Sequence, residues 1–217
     1  MIKGFVFDMD GLLFDSERIV QRSWYAAGAE LGYPDIGAQI YHTIGFNRAR
    51  RAVYFKEIYG EDFPYEMFQE KAACSFMEIV DKEGMPMKPG VPELLNFARA
   101  QGMAVGLATS SSEDYARDSL RRAGIESYFD GLVSGNMVKK SKPNPEIYQK
   151  ACAAISISPA EAIAFEDAPA GISSACAAGL RAVMIPDMVQ PDEETLAKVW
   201  MIKGSLTEAL EELKKIL

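Results

Sequence analysis

Short runs of β-branched and apolar residues alternate along this chain with longer stretches whose apolar positions recur at helical spacing. Ile2 to Phe7, Met103 to Thr109, Ala162 to Phe165 and Arg181 to Ile185 read as buried strands, with Gly131 to Ser134 a weaker fifth. Most are followed by a helix with readable caps. Ser111 is placed to cap a helix through Arg122, with Glu113 and Asp114 in its first turn and Gly124 just past its end. Asn144-Pro145-Glu146 opens another, in which Ile147, Tyr148, Ala151 and Ile155 fall at helical spacing. The alternation predicts an α/β fold with a doubly wound, mostly parallel, Rossmann-like sheet.

One stretch breaks the alternation. From about Asp15 to Gly84 the patterns are helical throughout. Ile19, Val20, Trp24, Ala27 and Leu31 form an apolar stripe ended by Gly32, and Phe68, Ala72, Phe76 and Ile79 form another. The return segment from Gly84 to Gly90 is rich in Gly and Pro, as a linker should be. The expected organisation is an α/β core from residues 1–14 and 85–217, with an inserted all-helical cap over residues 15–84. A helical lid on the core is the simplest arrangement.

Composition narrows the class. The 217 residues are 48% hydrophobic and 25% charged, which suits a globular chain with a substantial core and excludes disordered and collagen-like classes. Asp and Glu number 31 against 23 Lys and Arg, a net charge of −8. With no basic run longer than a pair such as Lys139-Lys140, neither nucleic acid nor an anionic membrane is an expected partner. An anionic ligand would need local cations or a metal to overcome the global repulsion. Cys74, Cys152 and Cys176 are odd in number and far apart, so free thiols in a reducing cytoplasm are expected, those of Cys152 and Cys176 buried. Asp8 and Asp10 interrupt the first apolar run, against a signal peptide, and no run approaches a membrane span. A cytoplasmic monomer is the default expectation.

Ligands of open α/β sheets bind beyond the carboxyl ends of the strands, so the polar residues there deserve inspection. Asp8-Met9-Asp10-Gly11 follows the first strand, Thr109-Ser110-Ser111 the second, and Glu166-Asp167 the fourth. Lys142 precedes the Asn-Pro helix start. Four crowded carboxylates would raise one another's pKa values, a difficulty that a hard divalent cation such as Mg²⁺ removes. One carboxylate can then attack phosphorus, while Asp10 exchanges a proton with the leaving or attacking oxygen. The Thr109 hydroxyl, nearby backbone N–H groups and Lys142 can hold the transferring group. Each fragment alone is common as a turn, a helix cap or a solvated loop; together they point to phosphoryl transfer through an aspartyl-phosphate.

Four segments then resemble the motifs of the haloacid dehalogenase-like superfamily, in the branch of beta-phosphoglucomutase and small sugar phosphatases. They are Asp8-Met-Asp-Gly-Leu-Leu-Phe-Asp15-Ser16-Glu17, Ala108-Thr109-Ser110, Lys142-Pro-Asn-Pro-Glu-Ile-Tyr148, and Phe165-Glu166-Asp167-Ala-Pro-Ala-Gly171-Ile. The resemblance spans nearly the whole chain, the helical insertion included. It implies Asp8 as nucleophile and Asp10 as general acid/base. It also implies Mg²⁺ held by the Asp8 carboxylate, the Asp10 main-chain carbonyl and Asp167, with Glu166 as ligand or immediate support. Thr109 and Lys142 would hold the phosphoryl group, helped by Ser110 and Ser111.

Departures from the pattern bear on the reaction. The superfamily's dehalogenases lack the second aspartate, so Asp10 argues against carbon–halogen chemistry. The phosphonate-cleaving branch needs a cap lysine as Schiff base, a role that nothing assigns to Lys71. Mutases of the beta-phosphoglucomutase kind carry a histidine where this chain has Val20, whereas Arg48, in Ile44-Gly45-Phe46-Asn47-Arg48, matches their cap arginine for a distal phosphate. Arg50 and Arg51 blur that match, and Ser141 replaces the usual glycine before Lys142. The only histidine, His42, is expected to be structural or at the surface. The leading expectation is a Mg²⁺-dependent phosphatase of a small phosphorylated metabolite, a sugar phosphate by class; the alternative is a hexose-phosphate mutase. A signalling receiver needs no seventy-residue insertion, and a binding protein built on a dead hydrolase would have lost Asp8, Asp10 or Lys142.

Overall fold

In the computed structural model, which describes residues 1–44 and 48–217, six parallel strands stand in the order β3-β2-β1-β4-β5-β6. They are β1 (Gly4–Phe7), β2 (Ala104–Ala108), β3 (Gly131–Val133), β4 (Ala162–Glu166), β5 (Arg181–Met184) and β6 (Met201–Ile202). Order reverses between β1 and β4, the switch point at which open α/β sheets bind their ligands. The doubly wound parallel sheet is the expected fold. β6 was not expected: two residues of Met and Ile carry too little pattern to separate a strand from a loop, and pairing with β5 makes it one.

Residue alternation assigns the two faces. On one, Phe7 stacks on Phe165 at 4.8 Å between ring centroids and Phe5 meets Phe165 edge-on at 5.1 Å. Helix α5 (Val91–Ala100) packs on β2 and on α10 (Leu206–Ile216). On the other face Val6, Ala108, Ala162, Ala164 and Ala182 join one core with Ile147, Tyr148, Ala151 and Cys152 of α7 (Glu146–Ala154) and Ile172 and Ala175 of α8 (Pro169–Ala178). Small side chains let these helices approach closely. A Cβ on Gly131 would stand 3.0 Å from both Ala154 Cβ and Ile155 Cγ2.

Met1–Phe14 and Met87–Leu217 form one compact unit, and Asp15–Pro86 a second. The second is helical among its described residues: α1 (Ser16–Leu31), α2 (Ile40–Thr43), α3 (Arg48–Tyr59) and α4 (Tyr65–Glu83), with one short 3₁₀ turn. Its core is aromatic. Trp24, Phe55 and Phe68 are buried, with centroids 5.3 to 5.7 Å apart and edge-to-face geometry. Helix α1 ends at Gly32, whose φ of 85° suits a residue without Cβ.

Two local expectations are corrected. The cap of α6 (Glu113–Arg122) is Ser112, whose Oγ accepts from Tyr115 N, and not Ser111. Ser111 lies one residue too early and turns its hydroxyl elsewhere. Cys152 is buried, as expected, but Cys176 is only half-buried, its thiol against the Lys198 carbonyl. Among the described residues no helix is long and apolar enough to cross a membrane.

Gly131→Val should drive a branched side chain into Ala154 and Ile155 and destabilise the α/β unit by about 1–3 kcal/mol. Urea unfolding followed by far-UV circular dichroism checks this; an unchanged midpoint would show that α7 does not rest on that strand.

Candidate active site

The period-two alternation that buries Val6 under α7 also carries Asp8 to the same face, two residues on. β4 does likewise for Ala164 and Glu166. Val6 and Ala164 are register partners, and Asp8 N donates to Phe165 O at 3.0 Å, so the two carboxylates arrive side by side at the switch point. Asp167 follows on the loop into α8. Asp8, Glu166 and Asp167 are 7%, 1% and 6% exposed, and one oxygen of each lies within 4.8 Å of the other two.

Lys142 meets this cluster from the loop before α7. Its ammonium donates to Asp8 Oδ1, to Glu166 Oε1 at 2.6 Å and to the Ala108 carbonyl, at the end of β2, at 2.9 Å. All three N–H bonds are thereby used. The loop is tied at both ends. The Glu146 carboxylate accepts from Lys139 N and Lys140 N at 3.1–3.2 Å. Asn144 Oδ1 accepts from Glu146 N at 3.1 Å, and the Asn144 carbonyl accepts from Ser174 Oγ at 2.6 Å.

Two glycines leave the carboxylates their space. A Cβ on Gly171 would overlap the Glu166 carboxylate at 2.0–2.1 Å, and one on Gly11 would fall 2.3 Å from Asp167 Oδ2. Gly11 also has φ +82°, in the tight turn where Gly11 N donates to Phe14 O.

The electrostatics follow from burial. Desolvation alone would strip the Lys142 proton, but Asp8 and then Glu166 outweigh it and raise the ammonium above its ordinary value. Burial, opposed by Lys142 and assisted by Asp8, pushes Glu166 up to about 7. Burial also raises the Tyr148 phenol well above its usual value, with Glu166 and Asp8 adding to the effect, so this hydroxyl acts as a donor. Among the described residues, three buried acidic side chains meet the Lys142 ammonium, an excess of acidic over basic groups. A divalent cation with a taste for oxygen ligands matches that excess and that donor set.

The Asp10 carboxylate has hydroxyl partners. It accepts from Ser111 Oγ at 2.6 Å and from Tyr115 OH at 3.3 Å. Thr109 is buried, and its Oγ1 accepts from Ser111 N at 3.1 Å. Thus Asp8, Lys142, Glu166 and Asp167 meet directly, and Asp10, Thr109 and Ser111 form a linked second group. Ser110 is exposed, with its backbone close against Gly135. Arg48 belongs to the helical unit, where its guanidinium pairs with Glu66. Gly45, Phe46 and Asn47 of its sequence motif lie outside the described residues.

Sequence reasoning placed Gly11, Tyr148 and Gly171 within the motifs but gave them no role at this site, and it passed over Tyr115. Tyr148 did leave a trace: a phenol among Ile147, Ala151 and Cys152 is a polar group on an apolar helix face. Tyr115 left none, because a tyrosine in an exposed-looking first turn is unremarkable.

The sequence model for haloacid dehalogenase-like hydrolases matches residues 5–185. A phosphorylated carbohydrates phosphatase of Thermotoga maritima is 31% identical over 184 residues, covering 82% of each chain. The validoxylamine A 7'-phosphate phosphatase of Streptomyces hygroscopicus subsp. limoneus is 30% identical over 208 residues, covering 96% of each. The solved structure of CbbY from Rhodobacter sphaeroides in complex with phosphate superposes with a TM-score of 0.81 at 25% identity, again over 96% of each chain. The chain belongs to the haloacid dehalogenase-like hydrolases.

Proposed function

We propose that this phosphoric monoester hydrolase is a Mg²⁺-dependent phosphatase of a small phosphorylated metabolite, a sugar phosphate by class, working through an aspartyl-phosphate on Asp8. The observation that carries the reading is the buried Asp8 carboxylate, bridged by Lys142 to Glu166 beside Asp167. The names of the relatives, one for phosphorylated carbohydrates and one for a 7'-phosphate, support the substrate class.

In this reading Lys142 fixes the Asp8 carboxylate through Oδ1 and screens its charge from the incoming phosphate ester. An Asp8 oxygen attacks phosphorus, the ester P–O bond breaks, and Asp10 gives its proton to the departing alkoxide. Asp10 then takes a proton from water as that water attacks the aspartyl-phosphate, releasing inorganic phosphate and restoring Asp8. The Ser111 hydroxyl orients the Asp10 carboxylate between these steps, and Thr109 holds the turn that carries Ser111. Asp8, Glu166 and Asp167, with the Asp10 carbonyl, are the groups that would hold Mg²⁺. Bound there, the ion supplies charge neutralisation for the phosphoryl oxygens. Val20 stands at the sequence position where mutases of the beta-phosphoglucomutase kind carry a histidine, which supports water over a second sugar hydroxyl as the acceptor.

Phosphate release from a panel of sugar and nucleoside monophosphates tests this reading. Asp8→Asn should lower kcat by at least about 10⁴-fold, and Asp10→Asn by about 10²–10⁴-fold. EDTA should abolish release and added Mg²⁺ restore it. Full activity in Asp8→Asn would overturn the nucleophile assignment, and isomerised sugar phosphate without net release would replace the phosphatase by a mutase.

Stability in EDTA reads the buried carboxyl. The folded-state pKa of Glu166 lies above its ordinary value of 4.5, so its contribution to stability is present below pH 4.5 and lost as pH rises through about 7. The stability of wild type relative to Glu166→Gln should therefore fall between pH 5 and 8. Each pK unit is worth about 1.4 kcal/mol, which bounds the fall at a few kcal/mol. Saturating Mg²⁺ at pH 8 should reverse it. A flat difference across that range in urea unfolding would contradict the assigned environment.

A further inference from the structure

Tyr148 touches both partners of the buried ion pair, and the mechanism above gives it nothing to do. It lies in the first turn of α7, six residues beyond Lys142, and is 0% exposed. Packing alone would be served by phenylalanine, as the apolar neighbours Ile147, Ala151 and Cys152 show. A phenol hydroxyl taken this far from water needs a partner, and it has one: it donates to Glu166 Oε1 at 2.5 Å. That same oxygen accepts from Lys142 Nζ at 2.6 Å. The face of the tyrosine ring meanwhile lies 5.2 Å from Lys142 Nζ, within range of a cation–π contact. Hydroxyl to the acid and ring to the base, one side chain addresses both ends of the pair.

We infer that Tyr148 is a positioning residue, which acts through Glu166 to keep Lys142 on Asp8. Two donors converge on Glu166 Oε1, and bare Gly171 leaves the carboxylate its room. Lys142 divides its three protons among Asp8, Glu166 and the Ala108 carbonyl. With the phenol present, Glu166 is partly satisfied and draws less on the ammonium. Without it, Oε1 turns to Lys142 for the missing donor, and the ammonium shifts toward Glu166 and away from Asp8. The group that suffers is the proposed nucleophile, so the loss falls on the chemical step more than on substrate binding. The inference rests on the proposed phosphatase reading for its kinetic consequence alone; the coupling of Tyr148 to Glu166 stands on geometry.

The test combines Tyr148→Phe, Glu166→Gln and the double variant, with Asp8→Asn as control and para-nitrophenyl phosphate as probe. Tyr148→Phe keeps the ring and removes one oxygen, so the fold survives. Its kcat should drop about tenfold, the scale of a lost hydrogen bond to a charged group, with KM within about twofold. Because the hydroxyl acts through Glu166, the double variant should be no slower than Glu166→Gln alone. Urea unfolding of the same set in EDTA gives a readout free of catalysis, and there the two substitutions should be clearly non-additive. A Tyr148→Phe enzyme with kcat unchanged within twofold, or additive unfolding effects, would overturn the inference. Should Asp8→Asn keep wild-type turnover, the phosphatase reading fails by itself, and the unfolding cycle still decides whether Tyr148 is coupled to Glu166.

Discussion

A single buried ammonium holds this site together. Lys142 ties the ends of three different strands, through Asp8 after β1, the Ala108 carbonyl of β2 and Glu166 of β4. The arrangement is costly by itself, since taking charges out of water is repaid only where each finds partners of opposite sign. Here the Lys142 ammonium faces three acids. A fold selected for stability alone would have no use for such a cluster at the middle of its sheet. Its charge excess is what an oxygen-loving divalent cation and a phosphate ester together would complete.

The rest of the α/β unit is arranged to tolerate this centre. The aromatic stack of Phe5, Phe7 and Phe165 fills one face of the sheet and leaves the other to small side chains, over which α7 and α8 lie close. That closeness brings Lys142 and Tyr148 within reach of the strand ends. Gly171 and Gly11 then give up their side chains so that Glu166 and Asp167 can turn inward. The loop carrying Lys142 is bound on both sides by Glu146 and Asn144, so the ammonium arrives with little freedom left to lose.

Asp10 is treated differently from the other acids. It is half-buried and tied to Ser111 and Tyr115, hydroxyl groups that orient a carboxylate without adding charge. Two aspartates separated only by Met9 thus have different partners, the Lys142 ammonium for Asp8 and two hydroxyl groups for Asp10. Such a division is what a nucleophile and a proton-transferring group require of neighbouring carboxylates.

Much of this was legible in the chain itself, for physical reasons. Alternating strand and helix periods determined a parallel α/β sheet, and a sheet of that kind places its chemistry at the carboxyl ends of its strands, where Asp8, Thr109 and Glu166 stand. What periodicity could not supply was which neighbour each polar group would meet. Ser111 read as a helix cap because capping is a local bond, yet Ser112 took the cap and Ser111 went to Asp10, about a hundred residues earlier. Tyr148 read as one more apolar helix position, because the oxygen that claims its hydroxyl belongs to β4. β6 carried too few residues to show a period and exists only through its pairing with β5. The sequence by itself determined the period of each element and the chemical character of its ends. The tertiary structure alone decided which donors meet which carboxylates, since those bonds join residues whose distance along the chain bears no relation to their distance in space.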